Sequence, residues 1–105
     1  MAQTKTEVEV RERIAVKEKY KEPKDYNVIY LNDDVTTMEF VIETLTGIFG
    51  YGRDAAEAIT MKVHDEDSAI VATLPYEMAE QKGIEVTLLA RQQGFPLQVK
   101  VETAK

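Results

Sequence analysis

Apolar and polar positions change their period along the chain, and the changes mark out six elements. Tyr26 to Leu31 is β-branched and aromatic, which predicts a strand. Asn32-Asp33-Asp34 follows with turn chemistry, because short polar side chains bond their own backbone there. Thr36 and Glu39 have capping-box spacing, which places a helix N-cap at Thr36. Met38, Val41, Ile42, Leu45, Ile48 and Phe49 then fall on one helical face, and Gly50 is expected as the C′ residue. A second helix is predicted from after Gly52 to Val63, with Ala55, Ala58, Ile59 and Val63 on its apolar side. Asp65-Glu66-Asp67 predicts a charged turn, and Ala69 to Ala72 a short buried strand. Pro75 suits the first position of a third helix, where its missing N–H is not needed. Gly94 and Pro96 stop that helix. Leu97, Val99 and Val101 alternate with Gln98, Lys100 and Glu102, the pattern of a strand with one wet face. The order strand, helix, helix, strand, helix, strand predicts an α+β fold: a small three-stranded antiparallel sheet packed against three helices.

Charge divides the chain in two. Residues 1–24 carry seven basic and five acidic groups, a net of +2, with few large apolar residues (Val8, Val10, Ile14, Val16). Such a segment buries too little surface to offset the entropy of ordering. It is expected to be a flexible N-terminal extension, closed by Pro23; an ordinary solvated linker has the same composition. Residues 25–105 carry six basic and fourteen acidic groups, a net of −8, and are expected to form the core domain. The whole chain of 105 residues has net charge −6, a poor basis for nucleic-acid binding, since phosphate contacts come mostly from Lys and Arg. It has no Cys, which excludes disulfide frameworks, thiolate nucleophiles and cysteine metal sites. There is no apolar run of about 18 residues to span a membrane and no signal-peptide pattern, so a cytoplasmic location is expected. The chain is also expected to be a monomer.

Two features carry chemistry. One is the acidic loop Asn32-Asp33-Asp34 at the end of the first strand, where binding groups commonly sit. The other is His64, the only histidine, at the end of the second helix. Their oxygens and an imidazole nitrogen are acceptors, which suits a cation with several N–H donors such as a primary ammonium. A divalent metal also takes such donors, but Asp33, Asp34 and His64 are a sparse set for it. The same loop also reads as turn and cap residues alone, and His64 as a favourable charge at a helix C-terminus.

The stretch from Tyr26 through Asn32-Asp33-Asp34-Val35-Thr36-Thr37-Met38-Glu39-Phe40-Val41 resembles the signature of the ClpS family, bacterial adaptors of the ClpAP protease. The resemblance continues at Val63-His64, at Glu77-Met78-Ala79-Glu80-Gln81-Lys82, and at Ala90-Arg91 with Gly94-Phe95-Pro96-Leu97. It spans essentially all of residues 25–105. It implies a protein without catalytic activity, metal or cofactor. Such proteins bind the first residue of N-degron substrates, favouring Leu, Phe, Tyr and Trp, and deliver them to the ClpA unfoldase.

By that resemblance Asn32, Asp33, Asp34 and His64 match the positions that hold the free α-amino group. Which aspartate acts directly stays open. Tyr30, Thr36, Met38, Val41, Thr60, Val63 and Leu97 match the positions lining the side-chain pocket. Glu77, Glu80 and Lys82 fall on the segment used to dock on ClpA, and the N-terminal extension assists delivery. From spacing alone, Met38, Val41 and Val63 are equally an inward-facing core stripe. Two positions depart from the family pattern. Thr37 stands where Pro is usual, and Thr60 where Met is usual, with Met61 beside it. A smaller residue with a hydroxyl at 60 predicts a wider or more polar pocket mouth. Rival expectations are an interaction domain of ribosomal-stalk type and a metal-dependent hydrolase built on Asp33, Asp34 and His64.

Overall fold

The strand predicted around Tyr26–Leu31 is β1 (Asp25–Leu31), the middle strand of the fold. It pairs antiparallel with β2 (Ser68–Pro75) on one side and β3 (Gln98–Thr103) on the other, giving the order β2-β1-β3. The other elements are α1 (Met38–Gly47), α2 (Arg53–Glu66) and α3 (Tyr76–Gln92). The structure, a computed structural model, describes residues 24–104. The expected extension over 1–24 therefore lies outside the described residues apart from Lys24. The architecture is the α+β arrangement expected: three antiparallel strands and three helices in the order β-α-α-β-α-β.

Alternation along β1 sorts its side chains by face. Val28 and Tyr30 are fully buried, while Asn27, Ile29 and Leu31 are only half-buried. Across the register, Tyr30 stands opposite Ala69 on β2 and Val99 on β3. The inward face meets Phe40, Val41 and Leu45 of α1, Val63 of α2, Val86 and Ala90 of α3, and Leu97 before β3 in one apolar core. The far face is wetter: Ile70, Lys100 and Glu102 are exposed, and Thr73 donates to the Asn27 amide oxygen at 2.8 Å.

Several local expectations are corrected. The N-cap of α1 is Thr37, not Thr36: its hydroxyl accepts from the Phe40 N–H at 3.2 Å. Thr36 is instead drawn back to Asp33, described below. Phe40 was missing from the expected core face of α1; it packs against Phe95 with ring centroids 5.0 Å apart. That helix ends at Gly47 with Ile48 as C-cap, so Gly50 (φ +77) belongs to the turn beyond and is not C′. On α2 the buried residues are Ala56, Thr60 and Val63, while Ala55 and Ala58 are exposed. The small size of alanine made the helical phase ambiguous. α2 also runs on through Asp65 and Glu66, so the charged turn shrinks to Asp67, whose φ is +67. β2 is longer than Ala69–Ala72, and Pro75 is its last residue and the cap of α3 in an extended conformation, not the first helical residue. Its fixed φ of −55° serves both uses.

Tyr30 carries a polar atom into this core, where the residue is fully buried. Its hydroxyl is paired with Thr44 Oγ1 at 2.8 Å, and Thr44 in turn donates to the Val41 carbonyl at 2.7 Å. Burial pushes the Tyr30 hydroxyl well above the ordinary tyrosine value, and the bond to Thr44 offsets only part of that. A raised folded-state value means full stability below the unfolded value of about 10 and loss as pH climbs past it. Two outcomes are expected in chemical denaturation. Tyr30→Phe costs about 1 kcal/mol near neutrality, the worth of one buried hydrogen bond. It also flattens the fall in stability above about pH 10 that the parent protein shows.

Candidate functional site

The end of β1 and the end of α2 are tied together by one backbone bond. Asn32 N–H donates to the Asp67 carbonyl at 2.8 Å, just past the last pair of the β1–β2 ladder, Leu31 with Ser68. Asp67 adopts the left-handed conformation that reverses the chain from α2 into β2. An Asp tolerates that backbone better than most residues, because its short side chain can bond locally. The bond sets Asn32 beside the last turn of α2, where His64 lies.

The loop after Asn32 is organised by a single carboxylate. Asp33 Oδ1 accepts from the Val35 N–H at 2.8 Å and the Thr36 N–H at 2.6 Å, and Oδ2 accepts from the Thr36 hydroxyl at 2.7 Å. Partial burial pushes the Asp33 carboxyl upward. The bonds from Thr36 and Val35, with the charge of Arg91, outweigh this and hold it below the usual aspartate value. Asp33 is therefore ionised and fixed in place, with one acceptor site of its four left unused. Asp34 is exposed beside it.

A cavity of about 240 Å³ opens between this loop, α1 and α2. Its lining is Asn32, Asp33, Asp34, Thr36, Met38, Val41, Thr60, Val63 and His64. Val41 and Val63 are buried in its wall, and Met38 stands at its mouth, 41% exposed. All four residues expected around an amino group thus line one space, together with five of the seven expected around a side chain. Tyr30 and Leu97 do not. They are 0% and 1% exposed and belong to the core behind the cavity, where the alternation of β1 and the turn before β3 point them inward.

At Thr60, where a wider or more polar mouth is expected, the hydroxyl donates to the Ala56 carbonyl of its own helix at 2.7 Å, so its proton is spent there and only its oxygen lone pairs are left for the cavity. At Thr37, the hydroxyl supplies a cap bond that a proline could not form in the same way. Of the three residues on α3, Glu77 and Glu80 are exposed and line a separate hollow with Tyr76, Gln81 and Ile84. Lys82 is directed elsewhere: its ammonium donates to the Ile48 carbonyl at 2.8 Å and sits 5.7 Å from the centre of the Phe49 ring. It closes the C-terminal end of α1 and does not join the two glutamates.

Sequence reasoning missed Arg91. Its guanidinium donates to the carbonyls of Phe95 and Leu97, both at 2.9 Å, and its charge helps keep Asp33 ionised. An arginine in the last helical turn before Gly94-Phe95-Pro96 was the available signal, because C-terminal carbonyls there need donors. Among the described residues no group of three or more His, Asp or Glu could hold a metal ion, so Asp33, Asp34 and His64 do not form the ligand set a hydrolase needs.

A family profile described as "ATP-dependent Clp protease adaptor protein ClpS" matches residues 21–100. The chain belongs to the ClpS family. The ATP-dependent Clp protease adapter protein ClpS of Treponema denticola is 42% identical over 87 residues, 83% of this chain and 86% of that protein. Its counterpart from Wolinella succinogenes is 41% identical over 96 residues, 91% of this chain and 90% of the other. Among solved structures, Agrobacterium tumefaciens ClpS2 bound to L-phenylalaninamide is similar at a TM-score of 0.76 and 38% identity, covering 78% of this chain and 99% of that one. As a ClpS protein the chain is a non-catalytic adaptor of the Clp protease. No described helix is long and apolar enough to cross a membrane.

The loop carboxylate gives this ClpS site a measurable signature. The Thr36 amide proton is expected to titrate with Asp33, with a midpoint below the ordinary aspartate value of 3.8, in an NMR pH series. The loop's stability is present above that ordinary value and lost as pH falls through the lowered one. Asp33→Ala abolishes the transition.

Proposed function

We propose that the cavity binds the first residue of N-degron proteins, and that this chain delivers them to a ClpA-type unfoldase. The observation that carries this is that one small cavity is lined by both polar and apolar side chains. Asn32, Asp33, Asp34 and His64 supply its polar lining, and Met38, Val41 and Val63 its apolar lining. A chain start has the matching halves, an ammonium with three N–H donors next to a side chain. The Asn32 amide oxygen, an imidazole nitrogen of His64 and the free acceptor site of Asp33 receive the three donors, with Asp34 adding negative charge nearby. Asp33 is the better direct partner, because it is already ionised and immobilised by Thr36 and Val35. Charge-assisted bonds of this kind contribute about 1.5–3 kcal/mol each before desolvation. Burying a Leu or Phe side chain adds about 1.5–3 kcal/mol.

The comparisons support the same chemistry. L-phenylalaninamide, bound by the Agrobacterium protein, has a free amine beside a bulky apolar side chain. Delivery needs a docking surface, and Glu77 and Glu80 on α3 are exposed for it. Residues 1–24 form the extension that assists transfer to the unfoldase.

Titration calorimetry with a Leu-first peptide tests the proposal. Binding is expected without added metal, and acetylation of the peptide N-terminus should remove most of it. His64→Ala and Asn32→Ala should each weaken binding by about tenfold or more, the loss of one charge-assisted bond. Retained affinity for the acetylated peptide overturns the amino-group mechanism. Thr60→Met should narrow acceptance among Leu, Ile, Val and Met at the first position; unchanged ratios dismiss a role for Thr60 in selectivity.

A further inference from the structure

A second hollow, of about 380 Å³, lies along the first half of α3 and is lined by Tyr76, Glu77, Glu80, Gln81 and Ile84. Its apolar members are left open: Tyr76 is 49% exposed and Ile84 52%. Its charged members, Glu77 and Glu80, are both acidic. The hollow adjoins the place where the chain enters the described fold. Tyr26, near the start of β1, packs edge-on against Tyr76 with ring centroids 4.9 Å apart. Lys24, two residues earlier, is the first described residue. Just before it the sequence reads Lys17-Glu18-Lys19-Tyr20-Lys21, three ammonium groups around one aromatic ring.

Charge, shape and reach agree. The segment is cationic where the hollow is anionic, and it offers a ring where the hollow offers Tyr76 and Ile84. The sequence places Pro23 in the connection, and proline disfavours helix at the residue before it. The three steps from Lys24 back to Lys21 cover up to about 10 Å, and α3 rises about 12 Å from Tyr76 to Ile84. A tether this short gives an effective concentration in roughly the millimolar range, so even a weak contact is populated yet displaceable.

We propose that residues 17–21 of this chain dock in the α3 hollow, with the lysines against Glu77 and Glu80 and the Tyr20 ring against Tyr76 and Ile84. The consequence for delivery rests on the docking role given above to Glu77 and Glu80. The chain's own extension then competes with the unfoldase for one surface, and pulling the extension away frees that surface. The contact itself does not depend on that role.

The absence of cysteine makes the test direct, since Glu18→Cys provides a single attachment point for a nitroxide label in the full-length chain. Paramagnetic broadening of backbone amides is then read by NMR. Broadening is expected to extend along α3 to Gln81 and Ile84. It should fall by at least half in Glu77→Lys/Glu80→Lys, and likewise in Lys17→Glu/Lys19→Glu/Lys21→Glu, and return when both sets are combined. Molar salt should weaken it in the parent. Both glutamates are exposed, so their reversal leaves the core intact. Broadening confined to the neighbourhood of Asp25 and Tyr76, or indifferent to charge reversal, overturns the proposal. Broadening that grows with protein concentration also overturns it, because the occupant is then a second copy. No unfoldase or peptide is present in this measurement, so its failure is separate from a failure in calorimetry.

Discussion

Closing β1 against β2 is what turns scattered polar residues into a site. The Asn32 N–H to Asp67 carbonyl bond lies at the end of that ladder, and it places the acidic loop and the imidazole on two sides of one opening. The two lie far apart in sequence and share no secondary structure. They meet because strand pairing fixes the register and a left-handed residue reverses the chain at the correct point. The apolar wall has the same origin. Met38 and Val41 come from the helix that follows the loop, and Val63 from the helix that carries His64.

Electrostatics refines this geometry. Of the loop's two carboxylates, Asp33 has its orientation set by three short bonds. Fixing an ion before a ligand arrives avoids ordering it on binding, which is how a small site gains affinity from few contacts. The neighbouring threonines divide the labour: Thr36 braces the carboxylate while Thr37 caps α1. The proton of the Thr60 hydroxyl is spent within its own helix, which leaves the cavity only its oxygen lone pairs. Exposed pairs such as Arg53 with Glu39 add little by comparison, because solvent screens them.

Much of this was legible in the sequence, and the misses have physical causes. β-Branched and aromatic residues at Tyr26–Leu31, the short apolar run at Ala69–Ala72 and period-two alternation at Leu97–Val101 marked the strands, and the order of elements gave the sheet and helices. The acidic loop and the lone histidine stood out because few other residues could act. Boundaries were harder. Two adjacent threonines can each cap, and only the bonds to Asp33 decide between them. Alanines at 55, 56 and 58 left the phase of α2 undetermined. Tyr30 and Leu97 lie close to the pocket in sequence logic, but whether a side chain lines a cavity or the core behind it depends on packing depth, which one chain's pattern does not encode. The role of Arg91 depends on carbonyls that become available only after α3 stops.

Left-handed backbone at a residue with a Cβ is unfavourable by about 1–2 kcal/mol unless its surroundings enforce it. At Asp67 the enforcement comes from the sheet, which makes the reversal and the strand end mutually dependent. Linkage then runs in both directions. Whatever occupies the cleft stabilises the last rungs of the β1–β2 ladder, and whatever frays those rungs disperses the cleft. If the cleft binds a chain start as proposed, local opening of a sheet corner and loss of affinity are one thermodynamic event observed from two places.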